Sequence, residues 1–365
     1  MDLLTLLNDL PDPREGWKVK HPLSALLFPT LCAVLCGVET WSDIPDFCEA
    51  KREWLEQYVS FDEGIPSAWT FRRIFTLLDP GLLEALLRTH ASSLVSGKTA
   101  QHIAIDGKAL RGSRRHDLRC LYSISACCHE NGLMLAERAV DQKSNEITAI
   151  PLLLDVLNLK GSTVTIDAAG CQHSIAEDII ERKADYVLAL KKNHRTYHEK
   201  VSSYFQKEGG ICPENRLEDE FDEGHGRIVR RRYFSCNARH IEGSDDWKGL
   251  TSVTAVETIR GVGNTGKVTA EWRYFISSHK STHPDLPSLI RNHWSIENKV
   301  HWVLDVILKE YDDRKSERRS AKAFATLKRI ALNVVRTKDD NPKRSLRKRF
   351  KCAGWDNEYL LKLLT

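Results

Sequence analysis

Two aspartates and a glutamate stand where this sequence could most readily build chemistry. Asp106 closes the apolar run "HIAID" and leads into "GKALRGS", and Asp167 closes "STVTID" and leads into "AAGCQ". Each falls at the carboxyl end of a predicted strand, where side chains leave a sheet for the loops that carry function. The glycine or small residues that follow allow a backbone or a ligand to come close. If the two strands are sheet neighbours, the carboxylates lie side by side and repel each other unless a cation bridges them. A hard divalent cation with oxygen ligands suits that position. A third acid, Glu297, lies in "IRNHWSIENKVHWVLDV", where helical spacing puts His293, Glu297, His301 and Asp305 on one stripe and Ile296, Val300, Val303 and Ile307 on an apolar one. Three carboxylates could hold two ions about 3.5 to 4 Å apart, a spacing that serves both the attacking and the leaving oxygen of an in-line phosphodiester displacement.

Plainer readings stand beside this one. A strand-end aspartate also serves as a turn former or helix N-cap, and a glutamate on a helix is also a solvated side chain. His293, Glu297 and His301 could instead be zinc ligands, since histidines at i and i+4 meet on one helical face, although the HExxH order is missing and the two aspartates would be left idle.

The elements that must position these acids change texture along the chain. Residues 1–98 read as helical, from "LLTLLNDL" through a buried helix pair in "LSALLFPTLCAVLCGV" to "SAWTFRRIFTLLDPGLLEALLRTHASSLV", with Ser67 as N-cap and Pro80-Gly81 dividing the last stretch in two. Residues 99–192 turn to strands: "HIAID", then "CLYSISACC" and "GLMLAERAV" joined by the turn "HENG", then helix and strand in alternation through "STVTID" and "DYVLAL". Residues 193–284 have β texture and glycine-rich turns, which suggests an inserted β subdomain. Residues 285–337 hold the Glu297 helix and a basic amphipathic helix, and residues 338–365 read as a basic tail. The expectation is an α/β protein, a mixed sheet flanked by helices with a β-rich insertion and an all-helical N-terminal domain.

Composition narrows the partners. The chain has 365 residues, 41% hydrophobic and 28% charged, enough to bury a core. The longest apolar run is short for a bilayer span and contains Pro29, so no membrane and a cytoplasmic location are expected. The ten cysteines include no CxxC pair and are expected to be buried, reduced thiols. Net charge is only +4, yet Arg314 to Lys351 contains 15 Lys/Arg against three acids. Such segregation points to a polyanion, because clustered cations gain by releasing condensed counterions from phosphates, while a solvated basic face is the plain alternative. Lys328, Arg329 and Arg347 represent that segment as candidate DNA contacts.

The ordered set "AIDGKALRGS", "TIDAAGCQ", "DYVLALKKNH", "RNHWSIENKVHWVLDV" and "LLKLL", preceded by "LPDPREGWKVKHPLSALL", resembles the H-repeat-associated proteins, a branch of the bacterial insertion-sequence DDE transposases. The likeness covers essentially the whole chain. It implies an RNase-H-like catalytic domain in which Asp106 is the first acid on the first strand, Asp167 the second on the fourth, and Glu297 the third on the helix beyond the insertion. It also implies two Mg²⁺ or Mn²⁺ ions, metal-dependent cleavage and strand transfer at insertion-sequence ends, transposon-end and target DNA as partners, a homodimer in the DNA complex, and no small-molecule substrate. The alternative is an inactive or host-adopted DNA-binding relic. One departure is visible. Related enzymes carry a Tyr-x2-Arg-x3-Glu-x6-Lys pattern, and those offsets from Glu297 fall here on Ile290, His293 and Leu304. Phosphate contacts are therefore expected from His293, from Lys191 and Lys192, and from Lys108 and Arg111 after the first acid.

Overall fold

The computed structural model describes residues 3–95, 101–114, 119–140, 146–224, 227–262, 268–315, 317–339, 341 and 343–365. Six helices come first: α1 (Leu3–Asn8), α2 (Ser24–Leu35), α3 (Asp43–Ala50), α4 (Arg52–Leu55), α5 (Ala68–Leu77) and α6 (Pro80–Val95). Ser67 caps α5 by accepting the Thr70 amide at 3.3 Å, and the chain restarts at Pro80, as the sequence pattern predicts. The expected buried pair from Leu23 is one helix, α2, which carries Pro29 within it and is buried almost throughout. The proline removes one amide donor without ending the helix, because the apolar surroundings hold the helix on all sides.

Strands β1 (His102–Leu110), β2 (Leu121–Cys128) and β3 (Met134–Val140) follow, then α7 (Glu146–Leu154), β4 (Thr163–Ile166), α8 (His173–Glu181), β5 (Asp185–Leu190) and α9 (Arg195–Lys207). Next come β6 (Arg216–Gly224), β7 (Arg227–Asn237), β8 (Ser252–Val262) and β9 (Val268–Ser277). The chain closes with α10 (Leu286–His293), a π-helical turn (Glu297–His301), α11 (Trp302–Val306), α12 (Arg318–Lys338), α13 (Leu346–Trp355) and α14 (Asn357–Leu364). The segment read as a basic tail forms two capped helices: Ser345 and Asp356 each accept backbone amides at their starts. Among the described residues no helix is long and apolar enough to cross a membrane. All ten cysteines are free thiols and none is exposed.

The chain divides into two compact units, Met1–Lys98 with Gly107–Asn145 and Glu297–Thr365, and Thr99–Asp106 with Glu146–Ile296. The division falls inside β1, directly after Asp106, and again directly before Glu297.

In the second unit the strands run β1-β4-β5-β9-β8-β7-β6. β1, β4 and β5 are parallel, and β5 to β9 and each later pair are antiparallel. The strands expected to form a separate insertion therefore extend the same sheet, through β9 on β5. The reason is local: Tyr274 to Ser277 of β9 alternate against Val187 to Leu190 of β5, and their apolar members join Leu286, Leu289 and Ile290 of α10 in one buried cluster. Parallel strands buried on both faces read as continuous apolar runs, as "TVTI" and "YVLAL" do. The result is a mixed sheet flanked by helices, the α/β class expected.

In the first unit the order is β3-β2-β1, and α12 packs against α6, α5, α2 and β3. Trp41 lies 5.0 Å, ring to ring, from both Phe75 of α5 and Phe324 of α12. A buried charge network runs beneath. Arg329 is fully buried between Glu137 (2.6 Å) and Glu310 (2.7 Å), Glu310 meets Lys108 (2.9 Å), and Lys108 meets Asp305 (2.6 Å). Lys328 and Lys315 share Asp313 at 2.9 and 2.8 Å. Burial works to raise the Glu310 pKa, but the cations Arg329, Lys108 and Lys328 outweigh it and hold the carboxyl well below its usual range.

Close packing also explains "RGS". A Cβ on Gly112 would lie 1.2 Å from the carbonyl oxygen of Asp313, a backbone atom that cannot swing away. Gly112→Ala is expected to destabilise this unit by about 1–3 kcal/mol, the cost of overpacking, read as a lower urea midpoint.

Candidate active site

The register of β1 and β4 decides the first part of the site. Ile105 pairs with Ile166 at the end of the parallel ladder, so the next residues are Asp106, still within β1, and Asp167, just past the end of β4. The condition set by the sequence, that the two strands be adjacent, is met. Asp167 turns one oxygen to its own loop, Oδ1 accepting the Ala169 amide at 3.0 Å. That loop is tied down from the end of β5: Asn193 Nδ2 donates to the Ala168 carbonyl at 2.9 Å, and His194 Nε2 lies 2.7 Å from the Cys171 carbonyl. Gly170 is needed there, since a Cβ would lie 2.3 Å from Ile166 and 2.9 Å from Ile150. Asn193 and His194 escaped the sequence reading although they complete "LKKNH"; carbonyl-holding side chains leave no periodicity to read. Lys191 and Lys192 beside them are exposed at the carboxyl end of β5, a strand parallel to β4 and adjacent to it.

Thr165, just before Asp167, joins two buried histidines. Its hydroxyl lies 2.9 Å from His102 Nε2 and 3.0 Å from His293 Nδ1, which ties β1, β4 and the end of α10 together. His293 is 6% exposed and so belongs to this interior network. It does not present its ring to solvent as a phosphate contact would, a correction to the expectation for this residue; its Nδ1 instead meets the buried Thr165 hydroxyl. Thr165→Val would leave both rings short of a partner, and a loss of about 1–3 kcal/mol is expected in thermal or urea unfolding.

In the other unit, Glu297 opens the π-helical turn and its Oε2 lies 3.0 Å from His301 Nδ1. Glu297 is exposed and His301 buried. The uninterrupted helix expected from Ile290 to Val306 is therefore interrupted, with α10 ending at His293 and one wider turn at Glu297. Turns of that kind are frequent at functional sites. The i, i+4 pairing of Glu297 with His301 survives, but Asp305 leaves the stripe for Lys108.

The basic candidates divide by burial. Lys108 is bound by Asp305 and Glu310. Lys328 is 2% exposed and Arg329 is fully buried, both satisfied by carboxylates. These three hold the interior together and do not offer a charge to phosphate, a second correction: amphipathic spacing reports which face is apolar, not which basic residues have acids waiting on the inside. Arg111 and Arg347 are exposed, with Arg111 stacked 5.0 Å from the Tyr311 ring. Gly107, next to Asp106, admits the Tyr122 ring, whose hydroxyl donates to the Gly107 carbonyl at 2.8 Å; a Cβ there would lie 2.2 Å from that ring.

The comparisons with known proteins agree with this framework. The family described as "Transposase DDE domain" matches residues 97–334, and the one described as "DDE_Tnp_1-associated" matches residues 4–91. The chain belongs to the DDE transposase family. It is 35% identical over 368 residues to the H repeat-associated YhhI of Escherichia coli strain K12, covering 99% of this chain and 97% of that protein. It is 36% identical over 362 residues to YncI of Escherichia coli O157:H7, covering 96% and 91%. A cryo-EM piggyBac transposase synaptic complex with hairpin DNA aligns over 96% of this chain and 78% of that one, at 10% identity and a TM-score of 0.42, too slight a likeness to carry an argument.

Proposed function

We propose that this DDE transposase family member cleaves DNA strands at insertion-sequence ends and joins the freed 3′ ends to target DNA, using divalent cations held by Asp106, Asp167 and Glu297. The observation that carries the reading is the β1–β4 register, which makes Asp106 and Asp167 the first residues beyond the paired segment of two adjacent parallel strands. Two carboxylates at the ends of neighbouring paired segments favour a bridging cation over mutual repulsion. The donors fit: carboxylate oxygens suit Mg²⁺ or Mn²⁺. When bound, such ions supply charge stabilisation to the attacking and leaving oxygens of phosphodiester displacement.

The chain's own residues do the rest. Asn193 and His194 keep the Asp167 loop in place, and His301 orients Glu297 through its Nδ1. Lys191, Lys192, Arg111 and Arg347 are the exposed cations assigned to phosphates. In the first step water attacks phosphorus and the 3′-oxygen leaves as a hydroxyl; in the second, that hydroxyl attacks a target phosphodiester, giving up its proton to the target strand's 3′-oxygen as that oxygen leaves. Residues 1–98 are assigned to reading the ends, and a homodimer to pairing them.

The test is a supercoiled plasmid carrying the gene with its flanking DNA, incubated with the protein in Mg²⁺, in Mn²⁺ and in EDTA. Metal-dependent nicks at discrete positions, followed by strand joining, are expected. DNA binding with no nick in either metal would instead indicate a relic, and nicks without joining would indicate a nuclease.

A further inference from the structure

An open cavity of about 680 Å³ lies within the first unit, between the segment that follows Glu297 and the start of α13. Its walls carry five basic side chains, Lys299, Arg336, Arg344, Arg347 and Arg349, and one acid, Glu130. These charges are unevenly answered. Arg336 donates to the carbonyls of Gly132 and Lys299, and Lys299 donates to the His129 carbonyl, neutral oxygens in each case. Arg344 and Arg349 share Asp339, at 3.9 and 3.4 Å, and Asp339 is not among the lining residues. Arg347 is exposed at the second position of α13, a ten-residue helix whose first turn lines the same cavity and adds the positive end of its dipole. Trp302, first residue of α11, lines the same cavity with half its surface exposed.

A cationic rim, a helix start and an exposed indole in one cavity of nucleotide size match how proteins hold single-stranded nucleic acid, with phosphates on the cations and a base on the aromatic face. We propose that this cavity binds one unpaired nucleotide of a DNA strand, its base on Trp302 and its phosphate on Arg347 and the start of α13. The proposal rests on the reading that the chain handles DNA, and it deepens that reading by naming single-stranded DNA as what the cavity takes. Duplex DNA offers phosphates but keeps its bases stacked, so it cannot fill the space over Trp302.

Binding of a fluorescent oligo(dT) and of a duplex of equal length, measured by anisotropy in EDTA, separates this proposal from the cleavage reading, since no cutting is needed. Trp302→Ala and Arg347→Ala are each expected to weaken oligo(dT) binding about tenfold. Duplex binding should be unchanged in Trp302→Ala. Trp355→Ala, on α13 at an exposed position outside the cavity lining, is expected to leave both affinities as they are. Equal loss of oligo(dT) and duplex binding in Arg347→Ala, with no effect of Trp302→Ala, would mean that phosphate alone is recognised and would overturn the assignment. Oligo(dT) affinity unchanged in both variants would remove the cavity from DNA binding, whatever the nicking assay shows.

Discussion

Arg329→Ala is expected to destabilise the protein by about 3–5 kcal/mol, seen as a large drop in melting temperature and a reduced urea midpoint. The side chain is fully buried, and its removal takes from Glu137 the cation it pairs with and leaves Glu310 with Lys108. The cost comes from the orphaned carboxylates more than from the lost pair. Arg329→Met with Glu137→Gln should therefore recover part of the loss, because it removes a charge along with its partner. Acid should act on the same network. Glu310 titrates below its ordinary range in the folded protein, so its contribution is complete above the unfolded value near 4.5 and is lost as the pH falls toward the folded one. The wild type should thus lose stability below about pH 4.5, and Arg329→Ala should show a shallower loss there. A melting temperature for Arg329→Ala within a few degrees of wild type would show that the network is dispensable.

Asp167→Asn is expected to lower metal-dependent nicking on the order of 100- to 1,000-fold or more, with little change in melting temperature or in duplex affinity. The substitution keeps the size of the side chain and the acceptor for the Ala169 amide, so the loop held by Asn193 and His194 should survive while one anionic ligand is lost. Asp106→Asn and Glu297→Gln should behave alike, and a shift of the residual activity toward Mn²⁺ would mark the residue as a ligand. Nicking at the wild-type rate in any of the three would remove that residue from the site. Asn193→Ala offers a graded comparison: it frees the 168–171 loop without touching a carboxylate, so a partial loss of rate at unchanged metal dependence is expected.

Much of this protein was legible residue by residue. Apolar runs of four to six residues ending in Asp106 and Asp167, the "HENG" turn, the Ser67 cap and the Pro80 restart are local signals, and local sterics and hydrogen bonding act on neighbours in sequence. Order of motifs identified the family for the same reason, since it depends on the chain alone. Other features were decided by partners far away in sequence. Whether β1 and β4 are adjacent depends on hydrogen bonds between residues 61 apart, and whether β9 closes on β5 depends on apolar contacts with α10. The fate of each cation was likewise tertiary. Arg329 and Arg347 are equally basic in sequence, yet one meets two buried acids and the other meets water. The sequence determined which residues carry charge and where apolar runs stop; only the packed chain decided that β1 continues past Asp106 to Leu110 and which charges are spent inside, because a buried ion must find its counterion whereas an exposed one need not.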